Sequence, residues 1–400
     1  MAAPPRERDN PLTRSLAGII GLIVLGVLVL ASVGTLPWTL GKARADAEPR
    51  FNDGSLTAYL LPPWWTRHTD EERERLNNTA TERATAALGR EPTPAEADDF
   101  RPQYWLGTDN LGRDLMVRIL AGGGVSIGIG IAAATISVFI GTLYGAIAGY
   151  CGGRIDAVMM RIVDVLYGLP YVLLVVLLAV AGDALFDSYI AQTGARVRYV
   201  EQQAVAELRS RGEPATPEDA RELIREDAEL RARFEGEARD RFPPKVVSSG
   251  KRATFNVAVL LVAIGGVSWL TMSRVIRGQV LSLKAQPFME AARAMGVPVR
   301  WQFVRHLLPN LLGPIIVYAT LTVPQAILQE SFLSFLGIGV KPPLPSWGNL
   351  AADGLSQLNV VSMRWWLIVS PCVMLGLTLL ALNFVGEGLR EAFDPKRSKK

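Results

Sequence analysis

Long uncharged apolar runs alternate with strongly polar stretches along this chain. The run at 16–36 contains no ionisable residue, and a helix needs about 20 such residues to cross a hydrocarbon core roughly 30 Å thick. Apolar runs of similar length cover 121–150, 162–181, which carries Asp164 near its start, 254–273, 307–328 and 365–385. In lipid each run can satisfy its backbone hydrogen bonds only as a helix, so the pattern predicts an all-α polytopic membrane protein with six transmembrane helices. An even number of spans brings both tails, 1–15 and 386–400, to one side.

The polar stretches carry the sidedness. Arg6, Arg8 and Arg14 precede the first span, and Arg274, Arg277, Lys284, Arg293, Arg300 and Arg305 fill the loop 274–306. Basic loops stay in the cytoplasm, so both tails and this loop are predicted there, and 37–120, 183–252 and 329–364 outside. Two of these outer stretches are polar insertions. In 37–120, Thr93-Pro94-Ala95-Glu96 has the capping chemistry of a short helix, Trp64-Trp65 suits an interfacial aromatic belt, and Leu106 to Asp114 reads as a tight turn with salt-bridged carboxylates. In 183–252, Thr216-Pro217-Glu218-Asp219 opens a long charged helix through about Asp240, with few apolar residues to bury, so a solvated helix or hairpin is expected. The similar phrases at Glu91–Glu96 and Glu213–Glu218 are a weak repeat or shared capping chemistry.

Other features leave two readings open. Ala43-Arg44-Ala45 has the look of a signal-peptidase site, but the run before it is longer than a usual signal core, which favours an uncleaved anchor. Gly141, Gly145 and Gly149 stack at four-residue spacing, either to let a neighbouring backbone approach or as the ordinary glycine of membrane helices. Pro170 predicts a kink in the third span, and Asp164 a pairing with Arg161.

The clearest punctuation lies in 274–306. Pro287 suits a first helical position and Gly296 the left-handed residue just past a helix end, which bounds a short helix between them. Phe288, Ala291, Ala292 and Met295 fall on one apolar face, with Glu290 and Arg293 three apart on the other. Such a helix either rests on lipid headgroups or plugs into a groove. His306-Leu307-Leu308-Pro309 follows at the entry to the fifth span.

Composition narrows the chemistry. With 49% hydrophobic and 20% charged residues the apolar content is segregated, and 42 Lys and Arg against 38 Asp and Glu leave only +4, too little for a nucleic-acid footprint once membrane sidedness has claimed its share. Cys151 and Cys372 lie in or beside apolar runs and give no disulfide framework; with His68 and His306 as the two histidines, no metal or triad set assembles from the sequence. No Gly-x-x-x-x-Gly-Lys-Ser/Thr occurs, so the chain has no nucleotide loop of this type.

Glu290-Ala291-Ala292, Gly296 and Leu308-Pro309 resemble the EAA motif of ATP-binding-cassette (ABC) importer permeases. Leu106-Gly107-Thr108-Asp109 with Gly112-Arg113-Asp114, Arg305 to Asn310, Ser334 to Gly339, Pro345-Ser346-Trp347-Gly348 and the closing Asn383-Phe384, Gly386, Gly388-Leu389-Arg390 and Asp394-Pro395 resemble the C-type permease of dipeptide, oligopeptide and nickel uptake systems. The resemblance, which spares the two insertions, implies a type I ABC importer permease fold and alternating access. It implies ABC ATPase subunits that carry ATP and Mg in place of this chain, a homologous second permease, an extracytoplasmic substrate-binding protein, and a multi-pass location in a prokaryotic inner (cytoplasmic) membrane. Di- or oligopeptides are the expected cargo, with nickel or a metal chelate as the alternative. An enzyme or a membrane anchor acting through the outer insertions is the reading outside this class; an enzyme would need clustered acids, bases or metal ligands that the sequence does not offer. Glu290, Ala291, Ala292, Arg293, Gly296 and Pro309 become the expected ATPase-coupling site, small Ala291 and Ala292 permitting close seating in a cleft. Substrate contacts stay unassigned, since no span carries clustered charge at mid-depth.

Overall fold

The computed structural model describes residues 16–42, 47–358 and 363–393. The chain opens with α1 (Leu16–Ser32) and the one-turn α2 (Leu36–Thr39), followed by α3 (Asp70–Leu88) and α4 (Pro94–Asp99) in the first polar segment. Then come α5 (Leu115–Cys151), α6 (Gly153–Tyr167) and α7 (Tyr171–Ile190), and in the second polar segment α8 (Thr193–Arg211), α9 (Pro217–Glu226) and α10 (Ala228–Arg241). The remainder is α11 (Ser249–Lys284), α12 (Pro287–Ala294), α13 (Val299–Trp301), a π-helical stretch Gln302–Leu307, α14 (Leu308–Phe335), α15 (Trp347–Ser356) and α16 (Trp366–Phe393). Among the described residues six helical segments are long and apolar enough to cross a membrane, within 16–39, 115–151, 171–190, 250–284, 299–335 and 366–391. At 1.5 Å per residue, the 37 residues of α5 and 36 of α11 reach about 55 Å, well beyond the hydrocarbon core.

Two compact units emerge, Leu177–Val259 and the remainder of the chain. In the larger unit α14 packs on α5, α15 and α16, and α1 lies along α16. A Cβ on Gly21 would stand 2.6 Å from Cβ of Phe384, so the first span meets the last at backbone distance. The glycine stripe of α5 takes the close-packing reading: a Cβ on Gly145 would meet the Ser273 carbonyl oxygen at 2.2 Å, and those on Gly141 and Gly149 would press on Met272 and on the Arg277 carbonyl. One apolar cluster joins Leu115, Ile119, Ile327, Leu350 and Leu367 around Trp347, which is fully buried and donates its indole N–H to the Ile119 carbonyl at 3.2 Å. A second joins Ala146, Met272, Ile276, Val280, Met289, Leu307 and Leu311.

The turn at Leu106–Asp114 has the expected salt-bridged carboxylate. Asp109 is 3% exposed and accepts from the guanidinium groups of Arg113, at 2.8 Å, and Arg118. Both capping boxes also form, Thr93 with Glu96 and Thr216 with Asp219. Trp64 and Trp65 are exposed and lie against Trp105 and Trp365, an aromatic group of the kind found at membrane interfaces.

Several expectations change. The run at 162–181 is not one kinked span: α6 ends at Tyr167, Pro170 stands between helices, and α7 begins at Tyr171. Proline biases the residue before it away from the helical region, so Leu169 interrupts the ladder outright. Asp164 pairs with Arg274, at 2.8 Å, because α6 lies beside α11. The long charged helix after Thr216 breaks at Asp227, whose backbone is extended and whose carboxylate caps α10 by accepting from Leu230 N–H at 2.9 Å. That break lets α8, α9 and α10 fold on one another around Ala204, Leu208, Ala220 and Phe234, so this insertion buries a small core of its own. The stretch 329–364 contains α15, an element its glycines and prolines concealed. Ala43-Arg44-Ala45, Asp394-Pro395, the arginines of the N-terminal tail and the lysines and arginine at 396–400 lie outside the described residues.

Candidate functional site

Helix α12 sits in the chain between the fourth and fifth spans, and its two ends are built as the sequence dictates. Pro287 occupies the first turn, where its missing N–H costs nothing. At the other end Gly296 has φ +71°, its N–H donates to the Arg293 carbonyl at 2.9 Å and Val297 N–H donates to the Ala292 carbonyl at 3.0 Å. This pair of bonds is the Schellman closure, and it reverses the chain within two residues.

The helix is rotated from the face its sequence suggests. Met289 and Ala292 are the buried residues, 0% and 1% exposed, and Met289 is inserted in the cluster of Ile276, Leu307 and Leu311. Phe288, Ala291 and Met295, read from the sequence as sharing the apolar face with Ala292, are exposed. Met289 and Ala292 are three apart and form their own stripe, and filling the bundle with the long methionine places Phe288 on the flank, 6.5 Å from the His306 ring. Ala292 therefore seats on its own bundle, while Ala291 stays outside with Glu290, Arg293 and Gly296. Burying Met289 contributes about 1.5–3 kcal/mol to holding the helix in place.

Polar bonds make the attachment directional. Arg293 donates to the Lys284 carbonyl, the last of α11, at 3.2 Å, and Lys284 Nζ donates to the Tyr150 carbonyl near the end of α5 at 2.5 Å. Gln302 is 5% exposed; its amide donates to the Val297 carbonyl at 2.6 Å and accepts from Tyr150 Oη at 2.9 Å. The last turns of α5 and α11, the reversal after α12 and the start of the fifth span thus share one network. Arg277 donates two bonds to Asp156 on α6 at 2.5 Å each, and these hold the Asp156 carboxyl below the usual carboxylate range.

Pro309 is exposed in the first turn of α14. It follows the π-helical stretch, in which Leu308 N–H bonds to the Phe303 carbonyl, and Asn310 Nδ2 satisfies the His306 carbonyl at 2.6 Å. A proline ring crowds the carbonyl four residues back, and one extra residue in the turn relieves it. Pro309 therefore shapes the joint at the entry to α14.

Exposed apolar residues continue along the chain beyond the sequence motif. Val299, Trp301 and Val304 are 57%, 49% and 54% exposed and follow Met295, at 74%, along the chain. Their signal was present as apolar residues among Arg300 and Arg305, but a segment flanked by an apolar run reads as its extension. Among the described residues no three His, Cys, Asp or Glu side chains converge as metal ligands.

Residues 141–399 match the family described as binding-protein-dependent transport system inner membrane component. The chain is 38% identical over 293 residues to the oligopeptide transport system permease protein OppC of Haemophilus influenzae, an alignment covering 73% of this chain and 70% of that protein. It is 35% identical over 310 residues to the dipeptide transport system permease protein DppC of Bacillus subtilis, with 78% and 72% covered. With OppC of Escherichia coli K12 the identity is 37% over 302 residues, 76% of each chain.

Proposed function

This chain belongs to the family of binding-protein-dependent transport system inner membrane components, and from that premise we propose that it is the permease subunit of an ATP-driven peptide importer in a prokaryotic inner membrane. Peptides are favoured over nickel because each relative named above carries a peptide, and none a metal, in its name. The observation that carries the coupling role is the two-sidedness of α12: Met289 and Ala292 bolt it to the bundle while Glu290, Ala291 and Met295 face outward. A helix with one face buried in its own chain and the other exposed suits the cleft of a separate ATPase subunit. Motion imposed on α12 would reach α5 and α11 through Arg293, Lys284 and Gln302. ATP and Mg would be held by that ATPase. Substrate would arrive from an extracytoplasmic binding protein and pass between this chain and a second permease.

Glu290 is exposed, so reversing its charge probes the partner and leaves the fold alone. Glu290→Lys is expected to reduce co-purification of the ATPase by about tenfold or more, the effect of a misplaced charge at a docking surface. Undiminished co-purification would remove α12 from the ATPase interface.

The insertion is proposed to contact the binding protein. It has its own core, and its ends meet: Lys245 N–H donates to the Ile190 carbonyl at 2.9 Å and Arg196 to the Phe242 carbonyl at 2.9 Å. Residues 193–242 can therefore be excised and the ends joined by a short glycine linker. The shortened chain is expected to assemble in the membrane and to lose uptake at limiting binding protein; undiminished uptake would refute the contact.

A further inference from the structure

The spanning helices of the larger unit enclose a cleft of ≈ 460 Å³ between the start of α7, the middle of α11 and α14. Its size falls in the range of about 300–1,000 Å³ typical of ligand sites. None of its lining residues is ionisable at neutral pH, yet the lining includes Tyr171, Ser268, Tyr318, Thr322, Gln325 and Gln329. On α14 the last four recur at intervals of four, three and four residues, which places them on one face of the helix. Tyr171 Oη donates to Gln329 Oε1 at 2.5 Å and shares a hydrogen bond with Ser268 Oγ at 2.8 Å, tying the three helices together. Gln325 is exposed, and its amide makes no hydrogen bond among the described residues.

Depth makes this arrangement informative. Ser268 lies sixteen residues before the end of α11 and Gln325 seventeen after the start of α14, about 24–26 Å along each helix, so the cleft opens well inside the span. A primary amide turned toward hydrocarbon is costly, and polar groups at this depth face a bundle interior or a water-filled path. A carboxylate or ammonium in the same place would attract peptides of one charge and repel those of the other. Glutamine, tyrosine, serine and threonine instead offer neutral donors and acceptors, the complement of a peptide backbone, whose N–H and C=O groups are the same whatever its side chains.

We propose that this cleft is a station on the translocation path where a passing peptide is held through its backbone amides, with Gln325 and Gln329 making the contacts and side-chain charge left unread. The proposal rests on the peptide-importer reading and adds to it the site and the basis of its tolerance. The test uses the complete transporter, this chain with its partner subunits, reconstituted in vesicles and supplied with acidic, neutral and basic tripeptides. The double variant Gln325→Leu/Gln329→Leu is expected to slow maximal uptake of all three about tenfold, the worth of one or two neutral hydrogen bonds, with half-saturation unchanged. Gln325→Glu is expected to retain uptake of the basic peptide and to lower that of the acidic one at least about tenfold.

If wild type carries peptides and Gln325→Glu leaves the acidic-to-basic ratio unchanged, the station is refuted and the importer reading stands. If either variant sheds the second permease on purification, the stripe is a seam between subunits and the station is again refuted. A wild-type transporter that carries no peptide overturns the importer reading itself.

Discussion

A Gly296→Pro variant is expected to insert and assemble its spans and to lose ATP-driven uptake by at least about tenfold. Gly296 has φ +71°, whereas the proline ring holds φ near −65°, and proline lacks the N–H that bonds to the Arg293 carbonyl. The Schellman closure cannot form, Val297 no longer presents its carbonyl to Gln302, and Gln302 loses its register with Tyr150. The exposed face of α12 survives while its link to the ends of α5 and the fifth span is cut. Gly296→Ala provides the graded control. No atom lies within 4 Å of the added methyl group, so its cost is that of a left-handed alanine, about 1–2 kcal/mol. Uptake should rank wild type, alanine, proline, with membrane content equal; a proline variant within twofold of wild type would show that the reversal after α12 transmits nothing.

The second large effect belongs to the opposite end of α5. Asp109 Oδ1 accepts from the N–H groups of Leu111 and Arg113 at 2.9 and 3.0 Å, and Oδ2 from the side chains of Arg113 and Arg118. Arg118 is 2% exposed and also lies 3.8 Å from Asp353 on α15. Asp109→Ala would leave two buried guanidinium groups facing each other with the exposed Asp353 as a distant counter-charge. Breaking a buried ionic network in this way typically costs about 3–5 kcal/mol. A clear fall in the thermal unfolding midpoint of the purified protein is expected. Arg73→Ala, which removes the solvated pair with Asp70, is expected to leave the midpoint in place. Equal midpoints for the two variants would mean that the buried network contributes no more than a surface pair.

The two sites differ in how they could be read. The turn at Leu106–Asp114 and the punctuation of α12 are local: a left-handed glycine, a proline in a first turn and a carboxylate beside arginines act within a few residues. Both were therefore legible before any fold was known. The polar cleft between α7, α11 and α14 is assembled from residues distant along the chain. Tyr171, Ser268 and Gln329 lie 97 and 158 positions apart from the first, and each alone is an ordinary polar residue of a membrane helix.

The sequence by itself determined six apolar runs, the bounds of α12, both capping boxes and the buried carboxylate turn, because each follows from residue chemistry or from lengths set by the bilayer. The tertiary structure alone decided the rest. Helical spacing states which residues share a face but not which of two overlapping faces turns inward, so Met289 displaced Phe288 from the bundle. Pairing depends on which helices approach, so Asp164 found Arg274 and not Arg161. A charged insertion with few large apolar residues could still bury Leu208 and Phe234 once Asp227 let its helices fold back. The bounded helix was written locally; what it is fastened to, and which face it leaves free, was set by packing between segments distant along the chain.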